Sequence, residues 1–159
     1  ASERLFAQLM QVAGRAGRAA LPGEVLIQTR SPQHPLFEAL ARQDYAGFAA
    51  ELAAERRRAE FPPFVHQALL RAEAVKLELA LDFLREAAER ARSAPDSITI
   101  FDPVPAPITR LRGKERAHLL VQSASRRALR SFLERWYGEL KPRQPAGVKA
   151  ALDVDPLEF

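Results

Sequence analysis

The sequence predicts an α+β protein, and three observations carry that expectation. From Val65 onward, strand-like and helix-like periodicities follow one another in turn. A stiff break at Phe61-Pro62-Pro63-Phe64 separates this region from a mainly helical first part, because neither proline can extend a helix. Hydrophobic residues make up 47% and charged residues 28% of the 159 positions, close to the globular average, so most of the chain can bury a core. That length suits one ordinary domain, or a small domain carrying the tail of another.

In the first part, Leu5, Phe6, Leu9, Met10 and Ala13 recur at helical spacing after Ser2, a suitable N-cap. The helix runs into Gly14 and Gly17. Leu21-Pro22-Gly23 predicts a turn, and the β-branched run Glu24 to Thr29 predicts a strand. Ser31-Pro32-Gln33-His34-Pro35 breaks regular structure. Leu36, Phe37, Leu40 and Ala41, then Tyr45, Phe48, Ala49, Leu52 and Ala53, predict one or two helices ending near Arg58.

In the second part, Val65 to Ala74 predicts a strand. Lys76 to Ser93 predicts an amphipathic helix with Leu77, Leu81, Leu84 and Ala88 on one face, and Ser97 to Phe101 a short strand. A proline-rich break covers residues 102 to 107. Ile108 to Leu111 and Ala117 to Ser123 flank Arg112-Gly113-Lys114, a hairpin-like connection. Ser125 caps a helix carrying Leu129, Phe132, Leu133 and Trp136, and Val148 to Val154 closes as a strand. Read as strand, helix, strand, strand, helix, strand, the order matches the split β-α-β pattern of ferredoxin-like folds.

Composition excludes several chemistries. The chain has no cysteine, which removes disulfides, thiolate zinc sites and cysteine nucleophiles together. No apolar run approaches the roughly 20 residues needed to cross a bilayer, and the reading is of a soluble, non-secreted chain with no membrane role. The 24 basic against 20 acidic residues leave +4, too little by itself to mark a nucleic-acid binder. Only Lys76, Lys114, Lys141 and Lys149 are lysines, so the positive charge is mostly arginine, suited to forked contacts with phosphates and carboxylates. A biased codon composition gives the same excess.

Candidate sites follow from charge placed at turns and helix starts. Arg110, Arg112, Lys114 and Arg116 gather around one turn, where a hairpin would project them toward nucleic-acid phosphates; a solubilising loop is the competing reading. Arg126 and Arg130 stand four apart just after Ser125, where free helix amides and arginine forks favour an anion such as a peptide carboxylate. Glu55-Arg56-Arg57-Arg58 reads as a solvated helix end more readily than as a DNA contact. His34, His66 and His118 lack metal spacing, and Asp153 and Asp155 are better placed to cap or pair than to hold a cation, so no metal site is expected.

The sharpest local feature is Gln11-Val12-Ala13-Gly14-Arg15-Ala16-Gly17-Arg18. Its glycines admit close approach of a ligand and its arginines can reach one polyphosphate, although a glycine-terminated helix with arginines at its C-terminal dipole has the same pattern. The spacing Q-x-x-G-R-x-G-R resembles motif VI of superfamily 2 helicases. Together with Ala1-Ser2-Glu3-Arg4, Pro22-Gly23-Glu24-Val25, Gln28-Thr29, His34-Pro35-Leu36, Ala54-Glu55-Arg56-Arg57, Pro62-Pro63, Arg71-Ala72-Glu73, Pro103-Val104-Pro105-Ala106 and Leu152-Asp153-Val154-Asp155-Pro156, it resembles the PriA family. These are the bacterial primosomal protein N′ replication-restart DNA helicases. The closing group points to a piece ending near the natural C-terminus.

The resemblance implies a parent that couples ATP hydrolysis, with ATP and Mg²⁺ as cofactors, to 3′ to 5′ unwinding at forked DNA and to primosome loading. It implies that residues 1 to 58 are the end of the second, RecA-like motor lobe and its connecting helices, a helix-strand-helix remnant. Residues 65 to 159 would then be the C-terminal domain, similar to ribosomal protein S10. Gln11, Gly14, Arg15 and Arg18 would face the ATP phosphates in the intact parent, with Arg18 as the arginine finger. The fragment lacks the phosphate loop, because Gly113-Lys114 is followed by Glu115 and has no upstream glycine, and it lacks the acidic Mg²⁺ motif. No bound cofactor and no activity are therefore expected of it alone, and zinc belongs to a module absent here. Implied partners are forked or single-stranded DNA, the single-stranded DNA-binding protein with its acidic tail, and other primosome proteins. The implied location is the bacterial cytoplasm, at the nucleoid. The alternative is a scaffold that only braces the motor lobes.

Overall fold

The computed structural model describes residues 2–16 and 23–156. The chain divides into two compact units, Ala1–Ala59 and Glu60–Phe159.

The first unit is helical. It contains α1 (Ser2–Ala13), α2 (Pro35–Ala41) and α3 (Tyr45–Arg58). The His34 Nδ1 accepts the Leu36 N–H at 3.1 Å, and Asp44 Oδ1 accepts the Gly47 N–H at 2.8 Å, so side chains satisfy helix-start donors that have no intrahelical partner. Phe6, Leu36, Leu40 and Phe48 form the core, with Phe6 stacked on Phe48 at 4.5 Å. The strand expected over Glu24 to Thr29 is absent: residues 23 to 29 are irregular, and Leu26 is 88% exposed. A β-branched run becomes a strand only with a neighbour to take its backbone hydrogen bonds, and no described residue pairs with it. The expected helix-strand-helix is therefore helix, irregular segment, helix, helix. The turn expected at Leu21-Pro22-Gly23 lies largely outside the described residues.

The second unit is a five-stranded antiparallel sheet with helices on one face. Its elements are β1 (His66–Ala74), α4 (Leu77–Arg90), β2 (Thr99–Ile100), β3 (Val104–Leu111), β4 (Lys114–Ser123), α5 (Arg126–Leu140), a 3₁₀ turn at Lys141–Arg143, and β5 (Lys149–Val154). The order across the sheet is β2-β4-β1-β5, and β3 pairs with β4 on the same side as β2. In β1 the even positions Ala68, Leu70, Ala72 and Ala74 face the helices, as do Ala117, Leu119 and Val121 of β4. Against these small and medium residues α4 brings Leu81, Phe83 and Leu84, and α5 brings Leu129, Phe132, Leu133 and Trp136. Alanines in the sheet leave room for large helix side chains, the interdigitation that native density requires.

Two boundaries differ from expectation. β3 starts at Val104, inside the proline-rich break, and its register shifts between Pro105 and Arg110. Proline is tolerated there because the outer side of an edge strand needs no N–H donor. β4 begins at Lys114 rather than Ala117, because Leu111 pairs with Lys114 and closes a two-residue hairpin. Arg112 and Gly113 both have positive φ, 52° and 76°, the left-handed pair that such a tight turn demands.

Candidate functional site

The described part of the arginine motif ends α1. Gly14 donates its N–H to the Met10 carbonyl at 2.9 Å, and Gln11, Gly14 and Arg15 are exposed. A Cβ at position 14 would meet the Met10 oxygen at 3.4 Å, ordinary contact, and Gly14 is not in the left-handed region. Neither local sterics nor a left-handed cap therefore accounts for glycine there. Gly17 and Arg18 lie outside the described residues.

The hairpin divides the four basic residues assigned to it. Lys114 and Arg116 share the helix-free face of the sheet, whereas Arg110 pairs in register with Glu115 on the opposite face. The Arg110 Nε lies 3.7 Å from Glu115, and the Arg116 Nε lies 3.4 Å from Glu73. Arg112 sits exposed at the tip with Lys114 beside it, and neither has an ion-pair partner among the described residues.

Arg126 and Arg130 behave as the sequence spacing implies. Ser125 accepts the Ala128 N–H at 3.3 Å and starts α5, and both arginines stay exposed on one side of the helix. Arg126 bridges Asp155 at 2.8 Å and Arg130 bridges Glu134 at 2.9 Å. Both line a groove of about 710 Å³ between α5 and β5, along with Leu129, Leu133, Tyr137, Lys141, Leu152 and Val154. Glu134 and Asp155 line the groove as well, so an apolar floor lies under a rim of mixed charge in which both arginines are paired.

Weaker candidates resolve into structural roles. Arg56 bridges Glu3 at 3.3 Å at the end of α3, His34 caps α2, and Asp153 and Asp155 pair with Arg71 and Arg126. Among the described residues no group of acids or histidines could hold a metal ion.

Sequence reasoning missed the helix-free face of the sheet. Cross-strand register sets Arg71, bridged to Asp153 at 2.9 Å, opposite His118, with the Glu73–Arg116 pair beside it, while Gln67 bonds Gln122 at 2.8 Å farther along the same face. The signal was present in the alternation of Gln67, Leu69, Arg71 and Glu73 with the alanines and leucine of the core face. His118 is 5% exposed, and its Nε2 has no hydrogen-bond partner. Burial, then the positive charges of Arg71 and Arg116, lower its pKa from 6.5 to about 4.

Between those two pH values the unfolded chain binds the proton and the folded chain does not. Stability should therefore be fully present above pH 6.5 and fall as the pH drops toward 4, by at most about 1.4 kcal/mol per unit from this residue. Denaturation midpoints across this window should slope less steeply for His118→Gln than for the unchanged chain. Equal slopes would show that His118 does not carry the effect.

The sequence model of the family described as "Primosomal protein N C-terminal domain" matches residues 57–157. The chain is similar to the replication restart protein PriA of Haemophilus influenzae, 40% identical over 160 residues, covering 100% of this chain and 22% of that protein. Similarity to the protein of that name in Synechocystis sp. is 36% over 164 residues, covering 99% of this chain and 19% of that protein. For Treponema pallidum the values are 34% over 169 residues, 99% and 24%. The chain thus spans between 19% and 24% of the length of these relatives.

Proposed function

The chain belongs to the family of the primosomal protein N C-terminal domain, and from that membership we propose that it is the C-terminal part of an ATP-dependent 3′ to 5′ replication-restart helicase. In that parent it serves as a module that binds DNA and protein partners. The observation that carries this reading is similarity along the whole chain to proteins named replication restart protein PriA. Gln11, Gly14, Arg15 and Arg18 belong to the ATP site only when the rest of the motor is present. The strand order supports a ferredoxin-like, S10-like domain. With β2 and β3 taken as one edge, β5-β1-β4-β2/β3 is the order of two interleaved β-α-β units, each helix crossing over the intervening strand.

DNA contact falls to Arg112 and Lys114, whose charges are not committed to carboxylates, with Arg110 and Arg116 held in ion pairs nearby. Binding to forked or single-stranded DNA should be weak, insensitive to base sequence and strongly salt-dependent, because phosphate neutralisation releases counterions. Replacing Arg112 and Lys114 together with alanine should reduce the slope of log affinity against log salt by about 1 to 2. An unchanged slope moves the contact elsewhere.

The α5/β5 groove suits the acidic C-terminal tail of the single-stranded DNA-binding protein. A free-acid tail peptide should bind more tightly than its amidated form, and Arg126→Ala should weaken binding by about tenfold or more, since charge-assisted hydrogen bonds contribute about 1.5–3 kcal/mol. Asp155→Asn should strengthen it by releasing Arg126. If neither DNA nor the peptide binds the chain, the alternative of a scaffold bracing the motor lobes takes its place.

A further inference from the structure

The two edges of the sheet are built differently. On the β2/β3 side, Pro103, Pro105 and Pro107 and the register shift between Pro105 and Arg110 blunt the edge. β5, on the other side, has no proline and no bulge, and among the described residues no strand pairs with its outer edge. Asp155 donates its N–H to the Gln67 carbonyl at 2.9 Å, so residues 155 and 67 form a hydrogen-bonded pair. Antiparallel pairing alternates, so Asp153, Ala151 and Lys149 also bond toward β1. Ala150, Leu152 and Val154 then direct their N–H and C=O groups outward, where no described strand takes them.

The side chains of this edge complement themselves. Lys149, Ala151 and Asp153 share the helix-free face, while Ala150 and Leu152 pack against the core on the other. A second β5 turned about a two-fold axis meets outward groups with outward groups only where 150, 152 and 154 oppose one another. Centred on Ala151, that register sets Ala150 against Leu152 and Lys149 against Asp153, each pair occurring twice by symmetry. A register centred on Leu152 sets Lys149 against Asp155 instead, which leaves the strand at a φ of 53° and is held by Arg126 at 2.8 Å. Lysine on an edge strand ordinarily deters a like strand, but here each lysine meets an aspartate.

Both charges are available for that meeting. Lys149 has no ion-pair partner among the described residues, and Glu73, across from it on β1, is held by Arg116 at 3.4 Å. Asp153 bridges Arg71 at 2.9 Å through Oδ2, and its side chain is 44% exposed, so its other oxygen can accept a second cation. Ala151, at the axis, is small and exposed.

We propose that β5 pairs antiparallel with β5 of a second copy of this chain, about a two-fold axis at Ala151, joining two five-stranded sheets into one. Outward main-chain groups of Ala150 and Leu152 supply the bonds, and the two Lys149–Asp153 pairs fix the register. Six residues from each copy make a small contact, so the association is weak and set by concentration.

Sedimentation equilibrium from micromolar to millimolar chain should show the mass rising toward that of a dimer, and amide exchange at Ala150, Leu152 and Val154 should slow over the same range. Lys149→Glu and Asp153→Lys each set like charges opposite one another at both ends and should weaken self-association about tenfold or more. Mixing the two variants should restore it, because both cross-strand pairs then have opposite signs. The chain has no cysteine, so single cysteines report the register without relying on charge or on the Arg71 bridge. Ala151→Cys should form a disulfide-linked dimer under mild oxidation, because a non-hydrogen-bonded cross-strand pair brings the Cα atoms to about 4.5 Å. Val154→Cys, about 20 Å from its own copy in this register, should not. A mass that stays monomeric at millimolar chain, with no preference for the Ala151→Cys link, overturns the pairing. Association that leaves edge exchange unchanged and ignores the charge variants belongs to another surface and overturns it as well.

Discussion

Trp136→Ala is expected to cost about 3–5 kcal/mol, because it removes the largest side chain from the middle of the helix-sheet core. Trp136 is 3% exposed and stacks on Phe132 at 5.4 Å. Its Nε1 donates to the Ala87 carbonyl at 2.9 Å, so the ring also ties α5 to α4. The substitution opens a cavity and leaves a buried carbonyl unsatisfied, two costs that add. Domains of this size are stable by about 5–15 kcal/mol, so a large share of the folding free energy is at stake. Trp136→Phe restores most of the volume without the donor and should cost less than Trp136→Ala. Since the sequence has one tryptophan, denaturation is followed by far-ultraviolet circular dichroism rather than intrinsic fluorescence, with amide exchange at Leu70 and Leu119 reporting on the sheet. A loss below about 1 kcal/mol for Trp136→Ala would contradict the central packing role.

The second large effect belongs to the full-length helicase proposed above. There Arg18→Ala is expected to lower ATP turnover by on the order of 10³ to 10⁵, the range for removing an arginine that stabilises charge on a transferring phosphoryl group. DNA affinity should remain close to unchanged, because the role proposed for the motif is toward nucleotide and not toward DNA. Steady-state hydrolysis and DNA anisotropy on the same preparation separate the two. Normal turnover in Arg18→Ala, or loss of DNA binding with normal turnover, would contradict the role. The 159-residue chain should show no DNA-stimulated hydrolysis at all, because its sequence has no phosphate loop to hold the nucleotide.

Much of the second unit was legible from local pattern. Apolar spacing located α4 and α5, Ser125 announced the start of α5, and Arg112-Gly113 announced a tight turn. These features depend on residues a few positions apart, where helical period, cap chemistry and positive φ act directly. Boundaries set by distant partners were less legible. Val104 to Pro107 reads as a break because proline opposes strand formation, yet β4 recruits it as an edge. The run Glu24 to Thr29 reads as a strand, yet no described residue supplies its pairing partner.

By itself the sequence determined the α+β class, the helix faces, the cap at Ser125 and, through motifs spread along the chain, its family. Only the tertiary structure decided which charges are available. Arg110 and Arg116 look equivalent to Arg112 in sequence, but pairing register brings Glu115 and Glu73 against them and leaves the tip free. The same register buries His118 between Arg71 and Arg116, and it leaves alternate backbone groups of β5 free at the sheet edge. Strand pairing joins residues tens of positions apart, and a one-residue slip would exchange every face, so no local pattern could have fixed these contacts.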